Sequence, residues 1–264
     1  MTLMDRYLLP LLLGAALLLA GCLGPPGEDD PSLRHDYSYE VSVAIDRPVD
    51  DLVFRVPLPS VNGSSALGEA IVNGTGYGVR PEWRVAVIEA NGTPVLELRA
   101  DRFLPEYRGT PIALVPGEAP PAVTPPPPAT APSESNPVLT PYSLGASIAV
   151  NRSIETRDPA GREPLLGGGA ALAPAGCDLP GQGAGVRCYR HPVAAFVDYR
   201  SDAGANVSVG VRLTGSNQWW RGGWTSNQYT DYVLVEFSPG DRGWARADAA
   251  LIAGEGMYPR SSKK

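Results

Sequence analysis

Apolar and polar side chains alternate over many short stretches of this chain, and no other feature constrains its fold as strongly. Residues 37–45 carry Tyr, Val or Ile at every odd position and Ser, Glu or Ala at every even position. Successive side chains of a β-strand point to opposite faces, so this period of two predicts a strand with one buried face. Similar strand patterns recur at 52–58, 83–87, 95–99, 142–150, 193–199, 207–213, 229–237 and 244–252. With no sustained helical period, the chain is predicted to be mainly β, with an antiparallel β-sandwich-like fold.

A β-hairpin is predicted where two of these patterns meet, at Ala90-Asn91-Gly92-Thr93. Asn and Gly both tolerate a positive φ, which the two central residues of a type I′ turn require. The preceding residues 64–72 are ambiguous, and the sequence leaves open whether they form a helical turn.

Proline, alanine, threonine and serine dominate residues 117–141, which include four consecutive prolines at 125–128. Such a run cannot join a strand ladder or a helix and adopts an extended polyproline II conformation. The segment is therefore expected to be a linker or a long loop between a β-rich half at 35–116 and another at 142–258. The sequence leaves open whether the two halves are separate or pack together. Residues 156–191, rich in Gly, Pro and Ala, are expected to form an irregular insertion.

The beginning of the chain carries a motif for lipid attachment. An apolar run at 7–20 ends in Leu19-Ala20-Gly21-Cys22 and is shorter than the roughly 20 residues that span a bilayer as a helix. The motif resembles the lipobox of membrane-anchored lipoproteins, whose cysteine is lipidated and becomes the mature N-terminus. The resemblance implies a signal peptide at 1–21, a lipid on Cys22 and a flexible tether at 22–34. The folded part would then lie at the extracytoplasmic face of the cell membrane; an uncleaved anchor and ordinary secretion are the alternatives.

The lipobox also accounts for the odd number of cysteines. If Cys22 carries lipid, Cys177 and Cys188 remain as an even pair in a Gly/Pro-rich stretch. A disulfide between them would stabilise this small loop by roughly 3 kcal/mol, and it fits an oxidising compartment outside the cytoplasm. The alternative is a pair of unrelated free thiols.

Five of the eight asparagines lie in Asn-x-Ser/Thr sequons, where chance would give about one. The sequon asparagines are Asn62, Asn73, Asn91, Asn151 and Asn206. They are predicted to be exposed sites of N-glycosylation, although Asn-Gly-Thr is also simply a good turn sequence. Together with the lipobox, the sequons resemble N-glycosylated surface lipoproteins of archaea, and a bacterial origin stays open. The resemblance carries no motif specific to an activity, and the expected function is a non-enzymatic, membrane-anchored protein with a structural or interaction role in the cell envelope.

Charge and histidine content bear on other function classes. The formal net charge is −6 and Lys/Arg residues cluster only in the last residues, within a predicted disordered tail at 259–264, so nucleic acid is not an expected partner. The only histidines are His35, placed in the tether, and His191, placed in the irregular insertion, and no Gly-x-Ser-x-Gly motif accompanies them. Metal-ligand spacings are lacking, and no cofactor is expected. The chain is therefore predicted not to be an enzyme; an extracellular hydrolase with carboxylates that cannot be recognised from sequence is an open alternative.

Aromatic residues are concentrated in one stretch, because four of the five tryptophans lie within residues 219–244. The candidate ligand-binding residues there are Trp219, Trp220, Arg221, Trp224 and Tyr229. Exposed, they would offer stacking faces to sugar rings or to a surface protein, and the chain would be a carbohydrate- or solute-binding lipoprotein. Buried, the same residues would form an aromatic cluster of the core.

Overall fold

A computed structural model describes residues 32–61, 63–108, 138–168, 171–177 and 185–258. The predicted signal peptide, Cys22, most of the tether, the proline run, Asn62 and the predicted tail lie outside these residues. Within them the fold is mainly β, as predicted from the alternation of side chains. No helix in the described ranges is long and apolar enough to cross a membrane.

The strands and the helix follow one another in a simple order along the described residues. They are β1 (Arg34–Ile45), β2 (Val49–Pro57), β3 (Pro59–Ser60), α1 (Ala66–Val72), β4 (Arg84–Ala90), β5 (Thr93–Phe103), β6 (Glu106–Arg108), β7 (Val138–Thr140), β8 (Tyr142–Ala149), β9 (Leu165–Leu166), β10 (Ala173–Ala175), β11 (Arg187–Arg200), β12 (Val207–Trp220), β13 (Trp224–Phe237) and β14 (Gly243–Gly256).

Ten of these strands form one large antiparallel sheet. Its order is β4-β5-β2-β11-β14-β13-β12-β1-β8, with β10 added to β11, and the pairs β3-β9 and β6-β7 form two small sheets. Strand β1 lies between β12 and β8, and β2 lies between β5 and β11. Strands from both sides of the proline-rich segment therefore alternate in a single sheet, so the predicted halves 35–116 and 142–258 do not correspond to two sheets.

The large sheet is curled, and the chain between β3 and β4 bridges its two edge strands. Helix α1 contacts both β4 and β8, with Leu67 and Ile71 buried. The side chain of Ser65 caps the helix by accepting a hydrogen bond from the Gly68 N–H at 3.1 Å. Tyr77 then exchanges two backbone hydrogen bonds with Gly145 of β8, at 2.8 and 3.0 Å. The ambiguous residues 64–72 are thus a short helix that joins the sheet edges.

The inner face of the curled sheet carries the core. Odd-numbered residues of β1, β11, β12 and β13 point inward, in agreement with the alternation in the sequence. In β1 they are Tyr37, Tyr39, Val41, Val43 and Ile45, all at most 3% exposed. Burying one aliphatic side chain of this kind contributes about 1.5–3 kcal/mol.

Residues 152–166, here called the inner segment, lie against this inner face rather than outside the fold. Ile154 and Leu166 are 3% and 0% exposed. Their backbone N–H groups donate to side chains of the sheet, Ile154 to Asn217 Oδ1 and Leu166 to Asp231 Oδ2, at 2.9 and 2.8 Å. The predicted irregular insertion at 156–191 was therefore wrong in part, since it begins inside the core and ends within β11.

One further boundary differs from the prediction. Strand β1 begins at Arg34, which pairs with Gln218 of β12, so the tether expected at 22–34 ends before this residue. His35 is part of the same strand, and its Nδ1 lies 2.7 Å from Asn217 Oδ1. Long-range pairing with β12 extends β1 beyond the stretch whose alternation is evident in the sequence.

The predicted Asn91-Gly92 hairpin is confirmed and provides a test of the fold. Ala90 pairs with Thr93, and Asn91 and Gly92 have φ of 53° and 78°. We expect Gly92→Ala to lower the free energy of unfolding by about 1 kcal/mol, because a Cβ strains the backbone at positive φ. Urea denaturation measures the change.

Gly223→Ala is the matched control. Gly223 is also in a hairpin turn, has no positive φ, and like Gly92 has no atom within 4 Å of an added Cβ. Its unfolding midpoint should stay near that of the wild type. Equal destabilisation by both substitutions would contradict the turn geometry.

Candidate functional site

The aromatic stretch forms the end of the longest hairpin of the sheet. Strands β12 and β13 pair from Val207↔Phe237 to Trp220↔Trp224, and residues 221–223 make the turn. Gly222 in this turn has a φ of 70°, and the Arg221 N–H donates to the Gly223 carbonyl at 2.8 Å. Trp220, the turn and Trp224 are called the tryptophan tip below.

The structure divides the candidate ligand-binding residues into a buried and an exposed set. Trp219 and Tyr229 are 4% and 0% exposed, and the Tyr229 hydroxyl donates to the Pro164 carbonyl of the inner segment at 2.8 Å. Trp220 and Trp224 are 53% and 57% exposed. Neighbouring residues of a strand face opposite sides, so Trp219 points inward and Trp220 outward. The sequence suggested a single aromatic cluster. In the structure Trp219 and Tyr229 are buried, whereas Trp220 and Trp224 form an exposed pair.

The exposed pair lies where the described chain enters the fold. The two indole rings meet edge to face, with centroids 5.7 Å apart at 83°. The Arg34 guanidinium carbon lies 5.3 Å from the Trp224 ring centroid, which is a cation–π contact. The backbone N–H of Trp220 donates to the Ser32 hydroxyl at 3.0 Å. The first described residues are thus attached to the tryptophan tip.

Two other exposed residues belong to β14 or follow it, Met257 close to the tryptophan tip and Trp244 far from it. Met257 is 67% exposed and follows β14 beside β13, where its N–H donates to the Ser226 carbonyl at 2.9 Å. Trp244 is 41% exposed and packs against Phe196, with ring centroids 5.4 Å apart. It stands near the start of β14, whereas β14 ends near the tryptophan tip.

A second candidate is a small cavity of about 160 Å³ beside the inner segment. Its wall is mainly apolar, with one cation and two hydroxyl groups. The lining residues are Tyr37, Pro59, Val61, Ser64, Ala66, Leu67, Ile148, Arg152 and Pro164. Behind the wall, Arg152 makes two hydrogen bonds to the carboxylate of Glu163, at 2.8 and 2.6 Å. The Tyr37 hydroxyl and the Glu155 N–H donate to the same carboxylate.

The hydrogen bonds around Glu163 decide its charge. Burial alone would raise the pKa of this carboxyl, but the bonds from Arg152, Tyr37 and the Glu155 N–H outweigh burial and hold the pKa below its usual value. Burial, followed by the bond to Glu163, raises the pKa of the Tyr37 hydroxyl well above its usual value. At neutral pH the group therefore holds an ionised carboxylate and a neutral phenol. Its bonds to residues 152–155 fix the inner segment in place.

His191 and Asp231 form a buried pair that the sequence did not suggest. Both side chains are 0% exposed, and His191 Nε2 lies 3.0 Å from Asp231 Oδ1. Asp231 Oδ2 accepts the Leu166 N–H, whereas His191 Nδ1 has no hydrogen-bond partner. His191 belongs to β11 and not to a loop, so the expectation of a loop histidine was wrong. The sequence signal for a buried strand position was that His191 has an odd number, in phase with Val193 and Val197.

An open cleft of about 540 Å³ lies at the opposite end of β1 from the tryptophan tip. It is lined by Arg47, Pro48, Asp50 and residues 200–203, which include Asp202. Arg200, also in its wall, forms an ion pair with Asp51. Cations and carboxylates are thus mixed in this cleft, and its net charge favours neither an anion nor a cation.

The remaining predicted site residues are at the surface. Cys177 and Cys188 lie at disulfide distance, with Cα atoms 5.4 Å apart, beside the β10–β11 pairing. The sequon asparagines Asn73, Asn91, Asn151 and Asn206 are exposed, and their glycosylation stays a prediction. Within the described ranges, no group of three or more His, Cys, Asp or Glu side chains is arranged to hold a metal ion.

Glu163→Gln tests the role of the buried carboxylate. Loss of its charge weakens the bonds from Arg152 and Tyr37, and we expect the free energy of unfolding at pH 7 to fall by about 2 kcal/mol. Because the folded-state pKa is depressed, the stabilisation is complete above the unfolded pKa of about 4.3 and is lost as the pH falls through the folded-state value. Urea denaturation between pH 7 and 3 should show the gap to wild type closing in acid.

Asp101→Asn is the control for this measurement. Asp101 pairs with Arg84 at the surface, where both side chains are at least 70% exposed. Exposed pairs contribute little, so its stability should follow the wild type at every pH. A gap for Glu163→Gln that does not change with pH would contradict the assigned charge.

Comparisons with known proteins leave the function to be argued from these residues. No protein-family model, no curated protein and no solved structure matches this chain.

Proposed function

We propose that the chain is a lipid-anchored protein of the outer face of the cell membrane, with a non-enzymatic interaction role in the envelope. In this proposal, residues 1–21 are removed, Cys22 carries the lipid, and the curled sheet is the ectodomain. Glycans on the exposed sequons cover part of its surface.

The observation that carries the proposal is the cysteine pair. Cys177 and Cys188 lie at disulfide distance in a segment with partly exposed side chains. Disulfides persist in oxidising compartments and are rare in the cytosol, so this pair supports a location outside the cytoplasm. With these two thiols paired, Cys22 is the one cysteine left for another modification.

The inward-facing titratable groups support a role other than catalysis. Glu163 and Tyr37 are bonded to one another and to Arg152, and the His191–Asp231 pair has no exposed surface. A catalytic acid or base has to reach a proton of the substrate, to within about 3 Å or through one water. These groups instead hold the inner segment against the sheet.

Lipidation is tested by expressing the full chain in a host that processes lipoproteins and feeding it an alkyne-labelled fatty acid. Wild type should incorporate the label and enter the detergent phase of a Triton X-114 separation. Cys22→Ala should lose the label and enter the aqueous phase.

The double variant Cys177→Ser/Cys188→Ser is the control, because it removes two other cysteines and leaves the lipobox intact. It should keep the label. Incorporation that persists in Cys22→Ala would refute the anchor.

The oxidised state of the pair is tested on the same cells. A maleimide reagent of known mass, added to denatured protein under conditions that prevent exchange, should leave Cys177 and Cys188 unmodified. After reduction both should react, each adding one reagent mass in a peptide spectrum. Modification of both cysteines before reduction would remove the support for an oxidising compartment.

A further inference from the structure

From the position of the tryptophan tip, we infer that Trp220 and Trp224 insert into the headgroup interface of the membrane to which Cys22 attaches the chain. The inference rests on the proposed lipid anchor. It assigns the exposed aromatic pair to a lipid surface and gives the ectodomain a defined orientation.

Chain length places the tip near the bilayer. Ten residue steps separate Cys22 from Ser32, and they span at most about 36 Å when fully extended. The Ser32 hydroxyl accepts a hydrogen bond from the backbone N–H of Trp220 at 3.0 Å, so the tip is where the tether joins the fold. Strand β1, of 12 residues, then runs about 37 Å to the opposite end, where Ile45 pairs with Val207. The anchor therefore keeps the tryptophan tip closer to the bilayer than it would be if the folded part could take any orientation.

The chemistry of the tip fits a membrane interface. Tryptophan combines a large apolar ring with an N–H donor, and it is enriched at the level of lipid headgroups. Both rings are more than half exposed although they belong to paired strands. Met257, two thirds exposed, adds an apolar side chain on the neighbouring strand end.

The charges near the rings are of both signs. Arg34 stacks on Trp224 and Arg221 belongs to the turn, whereas the tether residues Glu28, Asp29 and Asp30 precede Ser32. On the strands next to the hairpin, Asp36 of β1 and Glu255 of β14 pair with residues 216 and 228, each four positions from a tip tryptophan. The exposed rings, and not the charge of this end, therefore assign the tip to the membrane interface.

The arrangement suits a lipid surface better than a sugar. Carbohydrate and other small-ligand sites are concave and bring several groups to one ligand. Here the rings stand at 83° to each other at the apex of a hairpin, so their faces do not form one platform. A hairpin apex can enter an interface without any pocket.

The test uses the full-length lipidated protein in phosphatidylcholine–phosphatidylglycerol vesicles, with and without bromine on the acyl chains near the headgroup. Bromine quenches indole fluorescence at short range. Brominated vesicles should lower the emission of the wild type, and this decrease should be lost in Trp220→Phe/Trp224→Phe. Trp244→Phe is the matched control and should keep the decrease, because Trp244 is exposed near the other end of β14.

Flotation of the same samples separates this inference from the proposed anchor. Protein that floats with the vesicles but is not quenched overturns the inference alone, and protein that does not float overturns both. A decrease that survives in the double variant, or that is lost in Trp244→Phe, also overturns the inference. The inference is also overturned if the protein binds a glycan array through Trp220 and Trp224 while the vesicles give no quenching. If the double variant fails to fold by circular dichroism, each single Phe variant should still lose part of the decrease.

Discussion

The fold depends on hydrogen bonds between the inner face of the sheet and the inner segment. Asn217 of β12 and Asp231 of β13 accept backbone N–H groups of Ile154 and Leu166, and Tyr229 donates to the Pro164 carbonyl. Asn217 also donates to the Ile154 carbonyl at 2.9 Å. A segment without regular structure has backbone groups that must be satisfied when buried, at a cost of about 1–3 kcal/mol for each one left unpaired. Polar side chains inside the sheet are therefore a requirement of this architecture, and they are not by themselves evidence of an active site.

This requirement explains why residues of catalytic type are buried together here. His191, Asp231 and Glu163 would attract attention in any search for acids and bases, yet each binds a neighbour or the inner segment. The buried carboxylates hold two backbone N–H groups and a guanidinium in place. On the outer surface, by contrast, the tryptophan tip combines exposed aromatic area with a fixed position.

Local periodicity predicted the parts of the fold that depend on local chemistry. The alternation in β1 and the Asn91-Gly92 turn follow from residues close in sequence, whereas the proximity of Cys177 to Cys188 was predicted from the number of cysteines. The inner segment did not follow, because Asn217 and Ile154 are 63 residues apart and a period of two carries no information about such partners. Whether the two β-rich halves share one sheet stayed open for the same reason, since composition marks a proline-rich segment but not which strands pair across it. The division of Trp219 and Trp220 into a buried and an exposed residue could have been predicted, because adjacent residues of one strand cannot share a face.

The same division makes the exposure of the tip a consequence of the core. Trp219 is held inside, and a slip of one residue in the pairing of β12 with β13 would exchange it with Trp220 and turn every core residue of the strand outward. Val207, Val209, Val211 and Leu213, all buried, oppose such a slip. Trp220 and Trp224 are consequently exposed because the register of the hairpin requires it, on strands that stay paired up to the turn. An aromatic pair presented in this way is already ordered before it meets a surface, so binding loses less conformational entropy than it would from a mobile loop.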